Sequence, residues 1–289
     1  MMIIICALAT VLSQVPTVTI AEGVHLPMVV LGTGSGQKGD VAKATEIWLT
    51  IDSQQGIDTA YDYQDETEIA QGIAAAKVER ASFFLETKIP CGTAASAQSN
   101  FATNLAQLGV AYVDLTLIHT QCEGGQGSLK ETWEVLEAMV ASGKTKSIGV
   151  SHLDANDLTA LLSYAKIVPA VNQCELSVEY HDEATIAYCA AHGITYQSYS
   201  PLCGGANGSS CNRHGGHSVL TIKEVIAIAA AHNVSAAQVG LKWIVQRGLP
   251  LATAVWRADY AAEDIDLWSW GNLTEAEMKT LSTLPGRRL

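Results

Sequence analysis

Short runs rich in β-branched and aromatic residues alternate with longer helix-patterned stretches along nearly the whole chain. This alternation constrains the fold more than any other feature. A hairpin pattern comes first, at residues 18–20, the Glu22-Gly23 turn and Leu26. Strands are then expected at 28–33, 57–60, 82–88, 112–119, 147–151, 168–174, 194–200 and 249–255. Helices are expected near 41–53, 65–76, 96–108, 129–142, 155–164, 183–192, 222–231, 236–246 and 274–284. Strands separated by helices must run parallel, because each return needs a crossover. Eight such units close on themselves. The expected fold is therefore α/β, a single (β/α)8 TIM barrel with an N-terminal β-hairpin, spanning residues 16–289.

Composition limits the partners. Hydrophobic residues make up 48% of the chain but aromatics only 6%, so Ala, Leu, Ile and Val are expected to fill the core. With 17 Lys and Arg against 29 Asp and Glu, the net charge is −12. A chain this acidic has no general attraction for nucleic acid or anionic lipid, and neither partner is expected. No run reaches the roughly 20 apolar residues that span a bilayer. The expected partner is a small molecule, bound by a monomer.

Residues 1–15 are apolar and uncharged, with the length of a signal-peptide core and small residues Ala7, Ala9 and Ser13, but no basic start. Three readings stand: a removed leader for the secretory pathway, an uncleaved extension on a cytoplasmic protein, or a misassigned start codon. Of seven cysteines, six lie beyond this segment: Cys91, Cys122, Cys174, Cys189, Cys203 and Cys211. In an oxidising compartment Cys91 and Cys122, which follow adjacent strands, can pair, as can Cys203 and Cys211; in a reducing one all stay thiols. Asn207, Asn233 and Asn272 open Asn-x-Ser/Thr sequences.

Two patterns carry less than they promise. Gly34 to Gly39 matches G-x-G-x-x-G, with Asp58 downstream, as in doubly wound dinucleotide-binding sheets. The eight-unit periodicity opposes that reading and leaves a flexible first βα loop. Cys203, Cys211, His214 and His217 crowd the irregular 203–218 stretch, but their spacing matches no established zinc site, and no metal is expected.

Active sites of such barrels sit at the carboxyl ends of the strands. Three consecutive strand ends there offer Asp58, Lys88 and His119, with Tyr63 just beyond. A tyrosine is a weak acid with an ordinary pKa near 10. A nearby lysine favours its phenolate, an aspartate orients the lysine, and a histidine can hold a carbonyl oxygen. Such a set can protonate that oxygen as hydride reaches the carbon.

The motifs around these residues resemble the aldo-keto reductases. Gly56-Ile57-Asp58-Thr59-Ala60-Tyr61-Asp62-Tyr63 is similar to the family's D-T-A-x-x-Y signature, Phe84 to Lys88 to its lysine strand, and Asp114 to His119 to its D-L-x-L-x-H strand. Gly143-Lys144 with Ile148-Gly149-Val150-Ser151, Val171 to Glu175, and Tyr199-Ser200-Pro201-Leu202 resemble G-K-x-R-x-I-G-V-S-N, N-Q-x-E and Y-S-P-L. The resemblance runs from about Val18 to Leu284. It implies Tyr63 as general acid, Lys88 and Asp58 as its tuners, and His119 as the group orienting substrate. It also implies cofactor contacts from Thr33, Ser151, His152, Gln173, Tyr199, Ser200 and Leu202, with Tyr199 stacked on nicotinamide. The implied reaction is NAD(P)H-dependent reduction of an aldehyde or ketone to an alcohol, cofactor binding first.

The chain departs from the family in places. His152 stands where the family has Asn. Small residues near Gly34 and Thr120 replace two pocket tryptophans, and no long C-terminal loop follows the last helix. In the phosphate-clamping P-K-S-x-x-x-x-R stretch, Ala254 takes the Lys position and Tyr260 the Arg position, leaving Arg257 as a substitute. Glu263 and Asp264 fall near the adenine. The family favours NADPH; two lost cations open the site to NADH. The rival reading is a barrel that binds nicotinamide cofactor without catalysis, as a sensor or scaffold.

Overall fold

In the computed structural model, the described residues are 15–34, 41–51, 55–122, 127–203, 217–284 and 287–288. A hairpin of β1 (Thr17–Ala21) and β2 (Val24–Pro27) precedes β3 (Val29–Gly32) and α1 (Val41–Thr50). There follow β4 (Gly56–Asp58), α2 (Glu66–Ala76), β5 (Phe84–Ile89), α3 (Ala94–Leu108), β6 (Val113–Ile118), α4 (Leu129–Ala141), β7 (Thr145–Ser151) and α5 (Ala155–Leu162). The second half holds β8 (Val171–Glu175), β9 (Tyr180–His181), α6 (Glu183–Ala191), β10 (Thr195–Tyr199), α7 (Lys223–His232), α8 (Ala236–Val245), β11 (Leu251–Thr253), α9 (Ala258–Ile265), α10 (Glu275–Ser282) and β12 (Arg287–Arg288).

The eight strands β3, β4, β5, β6, β7, β8, β10 and β11 close into a parallel barrel, as the alternation predicts. Helix ends are written into the sequence. Asp154, Ser235 and Thr274 each form a capping box at the start of α5, α8 and α10. Gly109 ends α3 in the left-handed conformation, where a side chain would be strained.

Alternation along β5 separates the two sides of the wall. Leu85, Thr87 and Ile89 face the helices, while Phe84, Glu86 and Lys88 face the barrel interior. Phe84 packs there with Val30, Leu115, Leu117, Val171 and Ala252, and the hairpin residues Val24 and Leu26 join this cluster and plug the floor. The interior thus runs from apolar at the floor to ionisable at the mouth. Between barrel and helices lies a second, larger core. Trp48, Trp133 and Trp243 are fully buried in it, so this layer is not purely aliphatic as composition suggested.

The structure adds two features. Helix α9 lies in the stretch expected to hold cofactor, and β9 pairs in parallel with β12. Val15 is buried in the core, whereas the rest of the apolar N-terminal segment, residues 1–14, lies outside the described residues, as do 35–40 of the G-x-G-x-x-G match. Among the described residues no helix is long and apolar enough to cross a membrane.

Candidate active site

Four side chains from neighbouring strand ends meet at the mouth. After Asp58 the chain stays in register with β5, Thr59 N–H donating to Glu86 O at 3.0 Å. It then turns through a single 3-10 turn, Tyr61–Tyr63, which Tyr63 N–H closes on Ala60 O at 3.0 Å. That turn brings the Tyr63 ring over β5, with Lys88 Nζ 5.3 Å from its centroid. Lys88 is 1% exposed; its ammonium donates to Asp58 Oδ1 and, at 3.2 Å, to Thr59 O. His119 extends the ladder from β6, its N–H bonded to Ile89 O at 2.9 Å, and sets its ring edge-on to Tyr63 at 5.4 Å between centroids. The structure therefore brings together all four residues that the motifs single out.

The electrostatics follow from burial and charge. Burial pulls the Lys88 pKa down, but Asp58, Tyr63 and Glu86 outweigh it and leave the pKa raised, so Lys88 stays an ammonium. Burial raises the Tyr63 pKa; Lys88 pulls it down and Asp58 adds to the rise. Lys88 favours the phenolate as expected, but burial wins, so Tyr63 keeps its proton in the free protein. Burial lowers the His119 pKa and Lys88 lowers it further, while its bond to Asp62 opposes both.

A polar layer lies beneath the mouth. Gln173 Nε2 is 3.1 Å from Asp58 Oδ2, 3.0 Å from Glu86 Oε1 and 3.1 Å from Gln197 Oε1, and Gln197 Nε2 donates to Glu86 Oε2 at 3.0 Å. One amide nitrogen has two protons for those three acceptors, so one of the contacts has no proton of its own. Burial, reinforced by Asp58, pushes the Glu86 carboxyl up to about 8. Glu86 and Gln197 were not singled out in the sequence. Glu86 had a signal there: two positions before Lys88, it shares the inner face of β5.

The opposite wall belongs to β7 and β10. Ser151 Oγ donates to Gln173 O at 2.7 Å, leaving its lone pairs to accept. His152, in the left-handed conformation, tilts against Tyr199 at 5.2 Å between centroids, with Tyr199 Oη 3.5 Å from His152 Nδ1. Ser200, also left-handed, and half-buried Leu202 follow. Thr33 is buried beside β4 and donates both to Asp58 O, from its N–H at 3.0 Å and from Oγ1 at 3.3 Å. Gly34 is needed where it stands: a Cβ there would lie 2.5 Å from Tyr63 Cζ.

The phosphate segment is different. Arg257 is exposed and already forked onto Asp259, its Nε 2.9 Å from Oδ1, and lies over the Tyr260 ring. Asp264 is buried and turned inward, accepting from Thr253 Oγ1 at 2.7 Å, with burial pushing its carboxyl up to about 7. Its neighbour Glu263 is half-buried. Cys91 and Cys122 form a disulfide that ties the loops after β5 and β6 together, as their placement suggested. Cys174 and Cys189 are free thiols and Cys203 is disulfide-bonded, while Cys211 and His214 lie outside the described residues. Among the described residues no three His, Cys, Asp or Glu side chains gather closely enough to hold a metal.

Comparison with known proteins agrees with this arrangement. The model of the aldo/keto reductase family matches residues 52–284. The chain is 31% identical to morphine 6-dehydrogenase of Pseudomonas putida, covering 93% of this chain and 91% of that protein. It is 30% identical to a 9,11-endoperoxide prostaglandin H2 reductase of Trypanosoma cruzi, covering 92% and 90%. Among solved structures, it resembles an aldo-keto reductase of Bombyx mori in complex with NADP, with a TM-score of 0.82 at 28% identity over 93% of this chain and 92% of that one. The chain belongs to the aldo/keto reductase family.

Proposed function

We propose that this protein reduces an aldehyde or ketone to an alcohol with NADPH, and that Tyr63 gives the proton. The chain is an oxidoreductase that acts on carbonyl compounds with a nicotinamide cofactor. One observation carries the assignment of roles: a buried Lys88–Asp58 pair lies under a tyrosine hydroxyl that is still protonated, beside a histidine, at the barrel mouth. The same constellation weighs against a barrel that only binds cofactor.

The residues present fit a nicotinamide group. Ser151 Oγ has lone pairs for a carboxamide N–H, and the half-buried Tyr199 ring at the end of β10 offers an aromatic face. Gln173, buried in the middle of β8, completes that wall through its backbone bond with Ser151. When bound, the cofactor supplies the hydride. Tyr63 donates its proton to the carbonyl oxygen as negative charge develops there. Lys88, fixed by Asp58, stabilises the phenolate left behind, and His119 holds the oxygen in line. Arg257 would be the cation to hold a 2′-phosphate. The Bombyx mori relative carries NADP, which supports NADPH over NADH.

The chain is read as a monomer that leaves nucleic acid alone. Its net charge is −12, and large exposed apolar side chains among the described residues are scattered singly, as at Val168, Ile226 and Tyr260. The test of function is the absorbance of NADPH and of NADH with a panel of aromatic and aliphatic aldehydes and ketones. Oxidation of NADPH that depends on the carbonyl, and outpaces NADH, is the expected result. Cofactor binding without turnover on any carbonyl would overturn the reading.

A further inference from the structure

The residue just before Tyr63 has no part in the mechanism above, yet its side chain bonds the His119 ring. Asp62 Oδ2 lies 2.8 Å from His119 Nδ1. Both come from the same short stretch of mouth: Asp62 from the 3-10 turn after β4, His119 from the end of β6. The His119 side chain is 15% exposed, and that of Asp62 47%.

An ionised carboxylate only accepts, so a contact of this length requires the proton on Nδ1. The consequence falls on the other ring nitrogen. In the neutral ring Nε2 then carries a lone pair and can only accept. In the imidazolium Nε2 carries a proton and can donate. We propose that Asp62 is a positioning residue for His119, setting its tautomer and thereby what Nε2 offers to the oxygen that reacts at Tyr63. This rests on the carbonyl-reductase reading for its consequence in catalysis, though not for the tautomer itself.

The setting gives the proposal a direction with pH. His119 faces Lys88 from β5, Asp58 from β4, Asp62 and Tyr63 from the turn, and His152 from β7 at 6.5 Å between ring centroids. Burial and Lys88 favour the neutral ring, while the carboxylates of Asp62 and Asp58 favour the charged one, Asp62 being the one bonded to it. Reduction gains from the charged ring, whose Nε2 donates to a carbonyl oxygen. Oxidation of an alcohol runs the same step backwards, its one hydroxyl proton passing to the Tyr63 phenolate while the charged ring holds the oxygen. Asp62 thus moves the His119 limb of the pH profile alike in both directions.

The test is a 15N-resolved histidine titration of the cofactor-free protein by NMR, for wild type, Asp62→Asn and Asp62→Glu. It is paired with kcat/KM against pH for reduction and for alcohol oxidation. Wild type is expected to keep its last imidazole proton on Nδ1. Asp62→Asn should lower the His119 inflection by about one pH unit, as expected for removing an adjacent, partly solvated charge. On the alkaline side of that inflection, with the introduced amide oxygen still accepting from Nδ1, reduction should fall about tenfold with little change in the KM for cofactor, and Asp62→Glu should restore most of it. A wild-type neutral ring protonated on Nε2, or matching titrations in wild type and Asp62→Asn, would overturn the proposal. If the titrations behave as stated and no carbonyl is turned over, the reductase reading fails and the tautomer assignment stands.

Discussion

The two ends of the mouth are built by opposite rules. At the ends of β4 to β6 the Lys88 side chain is 1% exposed and locked between Asp58 and a backbone carbonyl. Around α9, the Arg257 side chain is 62% exposed and paired with an equally open Asp259. In the first region the Lys88–Asp58 pair is desolvated, so each partner is required and geometry is fixed before any ligand arrives. In the second, water screens the charges, a side chain can be lost without harm to the fold, and phosphate must compete with a carboxylate already present. In the proposed function, chemistry is held rigidly at the strand ends, and cofactor preference would rest where change comes easily.

The contrast is broken first at Lys88. Lys88→Met leaves the Asp58 and Glu86 carboxyls buried without their cation, which should cost about 3–5 kcal/mol in urea denaturation and remove turnover. If stability is unchanged, the buried network is not what holds the mouth. The disulfide comes next. Cys91 and Cys122 are 31 residues apart, and closing a loop of that length stabilises by roughly 3–4 kcal/mol. Reductant, or Cys91→Ser with Cys122→Ser, should lower the unfolding midpoint accordingly; equal midpoints with and without reductant would remove its structural role.

The third effect depends on pH. Glu86 is pushed up to about 8 and Asp264 up to about 7, both above their ordinary carboxylate values. The folded protein therefore binds protons that the unfolded chain releases. Their contribution is fully present below the ordinary carboxylate pKa and is lost as pH rises through 7 to 8. Glu86→Gln should flatten that decline in urea titrations across this range; an unchanged slope would mean that Glu86 is ionised in the native state. The smallest effect belongs to Arg257. Arg257→Ala should raise the KM for NADPH by a few-fold, about the worth of an exposed pair, with kcat unchanged. Asp259→Asn should lower it by freeing the guanidinium. If neither variant moves that KM, Arg257 takes no part in holding phosphate.

How far these regions could be read from the sequence follows the same division. The eight barrel strands and the helices between them were legible because each is a periodic apolar run, and several helices open on a capping residue such as Asp154 or Ser235. Asp58, Lys88 and His119 were legible because a barrel brings all its strand ends to one face. Asp62 was not, since its bond to His119 spans 57 residues and depends on how one short turn closes. Helix α9 escaped because Ala258–Ile265 is short, mixed in polarity and lacks a side-chain N-cap. The pairing of Arg257 with Asp259 also escaped: the two residues flank the start of that helix, and their side chains meet only once it forms.

The most direct test of the account is the single-turnover rate of hydride transfer in Tyr63→Phe against wild type, with NADPH affinity measured separately by fluorescence. The ring and its packing against Lys88 and His119 are kept, and only the hydroxyl is lost. The account predicts transfer slower by at least several hundred-fold, on the order of losing an acid catalyst, with NADPH bound as tightly as before. Transfer at the wild-type rate would contradict it, because the proton would then reach the carbonyl oxygen from some other group.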